Sequence, residues 1–148
     1  MTAVAFHTGV ADKVPYACRL VRKARQQELT AWVTGPLEVL TRLDEALWVD
    51  VPADFLAHCL VDRAQPNWGV LRRTPVWLSE GGVDPQAGVG LPSVWIHLGG
   101  EPDLQPEQFA KVIEVVGEDS QERQAARQRW RAYESRGLSP AHHPVTGA

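Results

Sequence analysis

The sequence predicts a single α/β domain with a largely parallel central sheet flanked by helices in three layers. This arrangement is Rossmann-like but has no nucleotide site. Two observations predict it. Short apolar segments rich in β-branched and aromatic residues alternate along the chain with segments of helical periodicity. The chain has 148 residues, 44% of them hydrophobic, which is enough for one domain with a buried core.

The first strand–helix pair occupies the opening residues. Residues 3–8 (AVAFHT) predict a short buried strand that ends at Gly9. Apolar residues then recur at helical spacing over residues 12–28, and Asp12 is a suitable N-cap.

A second pair follows directly. Residues 29–34 (LTAWVT) predict a strand that Gly35-Pro36 ends. Pro36 suits the first position of the next helix, PLEVLTRLDEALW, which ends before Pro52.

The middle of the chain predicts two strands separated by loops. Residues 61–74 are polar and predict a loop, and residues 74–79 (TPVWLS) predict a third strand. The stretch 80–90 contains four glycines and one proline and predicts a surface loop. Residues 92–99 (PSVWIHLG) predict a fourth strand.

The last third predicts two helices and a disordered tail. Residues 106–117 place apolar side chains at i, i+3, i+4 and i+7, which indicates a helix stopped by Gly117. Asp119 or Ser120 then caps a final helix that runs to about Arg136. The domain therefore spans residues 1–138, and residues 139–148 are expected to be disordered.

Composition favours a cytoplasmic protein with local anion binding. The formal net charge is −3, which argues against binding duplex DNA through many phosphate contacts. No stretch approaches the roughly 20 apolar residues of a membrane span, and the N-terminus lacks the features of a signal peptide. Cys18 and Cys59 are expected to be small hydrophobic residues and not to form a disulfide.

No motif for catalysis, a cofactor or a metal is evident. The glycine-rich GGVDPQAGVGLP has neither G-x-G-x-x-G nor a Gly-Lys-Ser/Thr ending, so a flexible loop is favoured over a phosphate cradle. The five histidines form no H-E-x-x-H, and neither cysteine has a C-x-x-C partner. We therefore expect no metal, no cofactor and no active site.

The final helix carries a cationic face. On a helical wheel Arg123, Arg127, Trp130 and Arg131 fall within about 100° of one another. Arginine is suited to bidentate recognition of carboxylate or phosphate. The alternative is a solvated helix face whose charge has no ligand.

A second candidate surface contains two aromatic residues. Trp48 lies at the end of a predicted helix, and Phe55 follows in a segment without clear period. Such residues either cap the core or anchor another protein, and spacing leaves both open.

Three segments together resemble a known family. RLDEALW (42–48), FLAHCL (55–60) and EVVGEDSQERQAARQRWRAYESRGL (114–138) resemble the chi subunit of bacterial DNA polymerase III holoenzyme. The family is a small single α/β domain, so the resemblance covers nearly the whole chain.

The resemblance implies a non-catalytic accessory subunit of the clamp-loader assembly in DNA replication. Such a subunit links the psi subunit to the acidic C-terminal tail of single-stranded-DNA-binding protein (SSB), and so reaches single-stranded DNA indirectly. The tail ends in a phenylalanine carboxylate. The resemblance assigns the tail site to Val116, Arg127, Trp130 and Arg131, and the psi site to Trp48 and Phe55.

An acidic peptide ending in Phe requires cations for its carboxylates and an apolar slot for its ring. We expect Arg127 to hold the α-carboxylate in a bidentate pair. Arg131 and Arg123 would attract the upstream aspartates. Trp130 and Val116 would flank the ring.

Two other functions remain open from the sequence. The same arginines and Trp130 would suit direct binding of single-stranded nucleic acid by stacking. A nucleotide-dependent enzyme rests only on analogy of fold.

Overall fold

The computed structural model describes residues 2–49, 56–83, 88–100 and 104–145. Within these residues seven strands form: β1 (Ala3–Val10), β2 (Ala31–Thr34), β3 (His58–Leu60), β4 (Val76–Ser79), β5 (Val94–His97), β6 (Lys111–Gly117) and β7 (Ala141–Pro144). The same residues form four α-helices: α1 (Lys13–Gln26), α2 (Leu37–Val49), α3 (Trp68–Leu71) and α4 (Ser120–Ser135).

The strands form one sheet in the order β3-β4-β2-β5-β6-β1-β7, and every neighbouring pair is parallel. Helices α1 and α2 pack on one face, around a core that includes Ala17 and Leu43. Helices α3 and α4 pack on the other face, around a core that includes Leu71 and Ala126. The predicted three-layer α/β fold is confirmed.

Local capping explains where the two long helices adjoining β1 and β6 begin. The Asp12 carboxylate accepts a hydrogen bond of 3.1 Å from the backbone N–H of Val14 at the start of α1. The Asp119 carboxylate accepts bonds of 3.0 and 3.2 Å from the N–H groups of Gln121 and Glu122 at the start of α4. Each cap satisfies backbone donors that the first helical turn leaves without partners.

The predicted helix over residues 106–117 is wrong. Residues Pro106–Gln108 form a single 3-10 turn, and Lys111–Gly117 form β6, with β5 on one side and β1 on the other. Helices cover both faces of this central strand, so apart from Glu114 its buried side chains are apolar on both sides and mimic helical spacing. The β-branched run VIEVV was the better signal, because such residues favour strands.

Three further elements differ from the sequence prediction. Strand β1 continues past Gly9 to Val10 through an irregularity in its pairing, and Gly9 has φ of 75°, a value that glycine tolerates. Strand β3 and the one-turn helix α3 fall in segments that predicted no regular structure.

The segment predicted to be a disordered tail supplies an edge strand. Residues Ala141–Pro144 pair in parallel with β1, with Phe6 opposite His142. Its side chains are exposed, so hydrophobic pattern alone could not reveal it. Residues 146–148 lie outside the described residues.

A row of tryptophans fixes the register of the central strands. Trp77, Trp32 and Trp95 are direct partners across β4, β2 and β5, and all three are buried. The indole N–H of Trp32 donates to Ser79 Oγ at 2.8 Å, and that of Trp95 donates to Thr34 Oγ1 at 2.8 Å. Burying these rings therefore leaves no indole donor unsatisfied, since Trp77 donates to backbone carbonyls.

Candidate functional site

Helix α4 is held against the sheet by its inner face. Ala126 and Tyr133 are buried there, and the Trp130 ring lies over Phe6 of β1 with 5.0 Å between ring centroids. Trp130 itself is only half-buried. The helix therefore presents one edge of this indole to solvent.

A groove of about 710 Å³ runs between α4 and the end of the sheet. We call it the α4 groove. Its lining residues are Phe6, Thr8, Val116, Arg123, Ala126, Arg127, Trp130, Arg131, Glu134 and His142. The structure thus brings together all five residues that the sequence analysis assigned to tail binding.

The floor of the α4 groove is apolar. Phe6, Val116 and Ala126 are buried beneath it, and Val116 is 1% exposed. Trp130 forms an aromatic wall above this floor. An apolar ring entering the groove would therefore meet carbon surface on two sides.

Three guanidinium groups border this apolar floor. Arg123, Arg127 and Arg131 are exposed and line the groove together. Across the described ranges none of the three has an ion-pair partner within 4.0 Å. Glu134 is the lining carboxylate, so the local charge is positive although the whole chain is negative.

The other two arginines of this segment are bound within the fold. Arg136 donates to Glu107 at 2.7 and 2.8 Å and to Gln105. Arg129 Nε donates to Glu114 at 3.0 Å. The five arginines that look alike in the sequence therefore have two different roles.

Glu114 is a buried carboxylate that joins α4 to the sheet. It is fully buried on β6, where it also accepts hydrogen bonds from His97 Nδ1 at 2.8 Å and from the Tyr133 hydroxyl at 2.5 Å. Burial alone would raise the pKa of Glu114, but His97, Arg129 and the hydrogen bonds hold that pKa below its usual value. Burial and the adjacent Glu114 carboxylate raise the pKa of Tyr133.

This anchor sets the rotation of α4. Because Arg129 and Tyr133 point inward to Glu114, the adjacent positions Arg127, Trp130 and Arg131 are turned toward the groove. The sequence analysis missed Glu114. A lone carboxylate inside the apolar run VIEVV was the available signal, because a buried charge requires partners.

The opposite wall of the groove comes from β1 and β7. Thr8 Oγ1 and His142 Nε2 are hydrogen-bonded at 2.6 Å, and both residues line the groove. His142 was not a sequence-predicted site residue, because its segment was expected to be disordered.

The second predicted surface is separate from the groove. Trp48 is 51% exposed at the end of α2, and its ring lies 4.4 Å from that of His58 on edge strand β3. Leu60, two residues further along β3 and so on the same face, is 37% exposed. We call Trp48, Val49 and Leu60 the Trp48 patch. Phe55 lies outside the described residues.

Side chains of the chain itself occupy part of the crevice at the carboxyl edge of the sheet. Doubly wound sheets bind ligands between two neighbouring strands whose following helices lie on opposite faces of the sheet. Here those two strands are β1 and β6. Lys13 forms an ion pair with Glu122 there and donates to the carbonyl of Leu98 at 2.6 Å. The Glu122 carboxylate lies against Gly117, where any Cβ would collide with it. A nucleotide phosphate would meet this carboxylate.

The residues that the structure describes contain no group of three or more His, Cys, Asp or Glu side chains placed to hold a metal ion. None of their helices is long and apolar enough to span a bilayer. Cys18 is buried and Cys59 half-buried, and neither forms a disulfide within the described residues.

The fold and the groove define a class: small doubly wound α/β proteins with a cationic, aromatic groove between the last helix and the sheet. Residues 1–141 match the family model of DNA polymerase III chi subunit, HolC. The chain therefore belongs to the chi subunit family of DNA polymerase III, an accessory subunit that takes part in DNA replication. No curated protein is significantly similar to the chain in sequence.

Proposed function

We propose that this chi-family chain is a non-catalytic adaptor that links the psi subunit of the clamp loader to the acidic C-terminal tail of SSB. One observation carries the proposal. Three exposed guanidinium groups border an apolar floor beside a half-buried indole in the α4 groove. This combination matches a peptide that ends in a phenylalanine carboxylate after several aspartates.

Each lining residue has a role in this proposal. Arg127 pairs with the α-carboxylate, because guanidinium and carboxylate form two parallel hydrogen bonds. The terminal ring rests on Val116 and against Trp130. Arg123 and Arg131 attract the upstream aspartates and mainly accelerate encounter.

Such a contact is small, so the expected affinity is on the order of micromolar. Many SSB tails are presented along coated single-stranded DNA. Their high local concentration raises the effective strength through avidity, without any new contact.

Fluorescence anisotropy with a labelled acidic peptide ending in Phe tests the tail site. We expect Arg127→Ala to weaken binding at least tenfold, because a charge-assisted bidentate pair is lost. Binding should also weaken as salt is added.

Arg136→Ala is the matched control, since it removes the same charge from the same segment outside the groove. It should retain binding. Equal affinity of Arg127→Ala and wild type, with both proteins folded, would show that the tail site is elsewhere.

The proposed psi site is the Trp48 patch. Exposed aromatic residues commonly dominate protein–protein binding energy. Trp48 is held beside His58, whose Nε2 lies 3.1 Å from the Asp44 carboxylate, so the indole is positioned at the sheet edge. Phe55 is proposed from the family resemblance alone.

Co-purification with psi tests this second site. We expect Trp48→Ala to lose psi while its thermal unfolding stays close to wild type, because half of the indole is already exposed. Val70→Ala is a matched control, because Val70 is also exposed and lies on α3. Gross unfolding of Trp48→Ala would indicate a core role instead.

Direct binding of single-stranded nucleic acid is the second candidate. The same arginines and the edge of Trp130 favour it, because aromatic rings stack on any base and cations bind the phosphate backbone. Glu134 in the groove wall opposes it. Anisotropy with a bare oligonucleotide distinguishes the two, since tight oligonucleotide binding without peptide binding would favour this function.

A further inference from the structure

We propose that His142 on the terminal strand β7 is a fourth cationic contact of the α4 groove, which strengthens the hold on an acidic peptide most when its imidazole is protonated. This inference rests on the proposed function. The inference adds one residue and a pH dependence to the proposed function. The family match does not supply this residue, because the matched residues end at 141. The arginines of α4 do not supply the pH dependence.

The position of His142 is fixed by two independent contacts. Backbone pairing of β7 with β1 sets His142 opposite Phe6, which is part of the groove floor. The hydrogen bond of 2.6 Å between His142 Nε2 and Thr8 Oγ1 then orients the ring along the wall. The imidazole is therefore placed across the groove from the arginines of α4.

The hydrogen-bond inventory of the ring permits a second partner. A hydroxyl can either donate to Nε2 or accept from it, so Thr8 remains bonded in both protonation states. Among the described residues nothing is hydrogen-bonded to Nδ1 of His142. The protonated ring has both a positive charge and an N–H at Nδ1, and this N–H can donate a hydrogen bond to a peptide carboxylate.

The groups around His142 determine the sign of the effect. The charged side chains that line the groove with His142 are Arg123, Arg127, Arg131 and Glu134. Neighbouring β1 contributes only the Thr8 hydroxyl to this wall. A bound peptide brings several carboxylates, so it favours the protonated ring. Binding therefore takes up a proton, and affinity rises as the pH falls.

The adjacent histidine provides a matched control. His143 faces the other side of the sheet, with its ring 5.3 Å from that of His7. Burial, and then the charges of His143, Lys111 and Lys23, lower the pKa of His7 to about 4.

Peptide titrations of the full chain at pH 5.5 and 8.0 test the inference. The probe is an acidic peptide that ends in Phe, whose carboxylates are ionised at both values. We expect wild type to bind about three- to tenfold more tightly at pH 5.5, and His142→Gln to change less than about twofold. His143→Gln should behave as wild type. Isothermal titration calorimetry near pH 6.5 in two buffers of different ionisation enthalpy should show proton uptake that His142→Gln lacks.

The outcomes separate this inference from the proposed function. Peptide binding that depends on Arg127 but is equally tight at both pH values would overturn the role of His142 and leave the groove assignment in place. The same conclusion follows if His142→Gln retains the wild-type pH dependence or proton uptake. Absence of peptide binding by wild type at either pH would overturn both.

Discussion

The five arginines near the C-terminus divide into two groups that the structure treats differently. Arg129 and Arg136 are held by Glu114 and Glu107, and they attach α4 to the rest of the domain. Arg123, Arg127 and Arg131 point to the groove and have no ion pair within the described ranges. The comparison teaches that one residue type on one helix can stabilise the fold on one side and remain available to a ligand on the other. What separates the two roles is whether a carboxylate from outside α4 lies within hydrogen-bond reach, as Glu114 does for Arg129 and Glu107 for Arg136.

The largest effect that tests this comparison is on stability. We expect Glu114→Gln to lower the free energy of unfolding by about 3–5 kcal/mol, because it removes the charge that Arg129 is paired with inside the protein. Differential scanning calorimetry should show a melting temperature lower by roughly 6–20 °C. Glu134→Gln, an exposed carboxylate on the same helix, is the control and should shift the free energy by less than about 0.5 kcal/mol. Similar shifts for both variants would remove the distinction between the two groups.

The loss of folding stability at acidic pH gives a second test, with a smaller expected effect. The pKa of Glu114 is lower in the folded chain than in the unfolded chain, where a glutamate titrates near about 4.3. Its contribution is therefore present above that unfolded value and is lost as the pH falls through the folded one. Urea unfolding between pH 5.5 and 3.5 should show a steeper loss for wild type than for Glu114→Gln. Parallel slopes would mean that this carboxyl is not perturbed.

The smallest expected effect concerns the groove arginine nearest the start of α4. Arg123→Ala should leave thermal stability unchanged and reduce peptide affinity about two- to fourfold at low salt, mostly through the association rate. The difference from wild type should fade at high salt, because exposed charges are screened. Stopped-flow association at two salt concentrations measures this. A loss as large as that of Arg127→Ala would assign Arg123 a direct contact.

Two segments show what the periodicity of apolar residues can and cannot predict about secondary structure. Residues 106–117 and 120–135 both have helical spacing of apolar side chains, yet only the second is a helix. Strand β6 lies between two helical layers, so burial on both faces produced the helical pattern without a helix. Segment α4 has one buried face and an N-cap at Asp119, and there the pattern and the structure agree.

The candidate site was predictable only in part. The α4 face was evident because helical geometry places Arg123, Arg127, Trp130 and Arg131 together whatever the helix packs against. Glu114 and His142 were not evident, because Glu114 meets α4 only when that helix packs back on β6, and His142 reaches the groove only through pairing of β7 with β1. That pairing joins residues far apart in the chain, where local spacing carries no information.

The sequence by itself determined the α/β class, the caps of α1 and α4 and the grouping of cations on the last helix, because these follow from local geometry within a few residues. Only the tertiary structure decided which arginines lack an ion pair within the described residues and which strands form the opposite wall of the α4 groove. It also decided that Lys111–Gly117 form a strand. Those outcomes depend on which distant segments cover each face, and on the requirement that a buried charge such as Glu114 has partners.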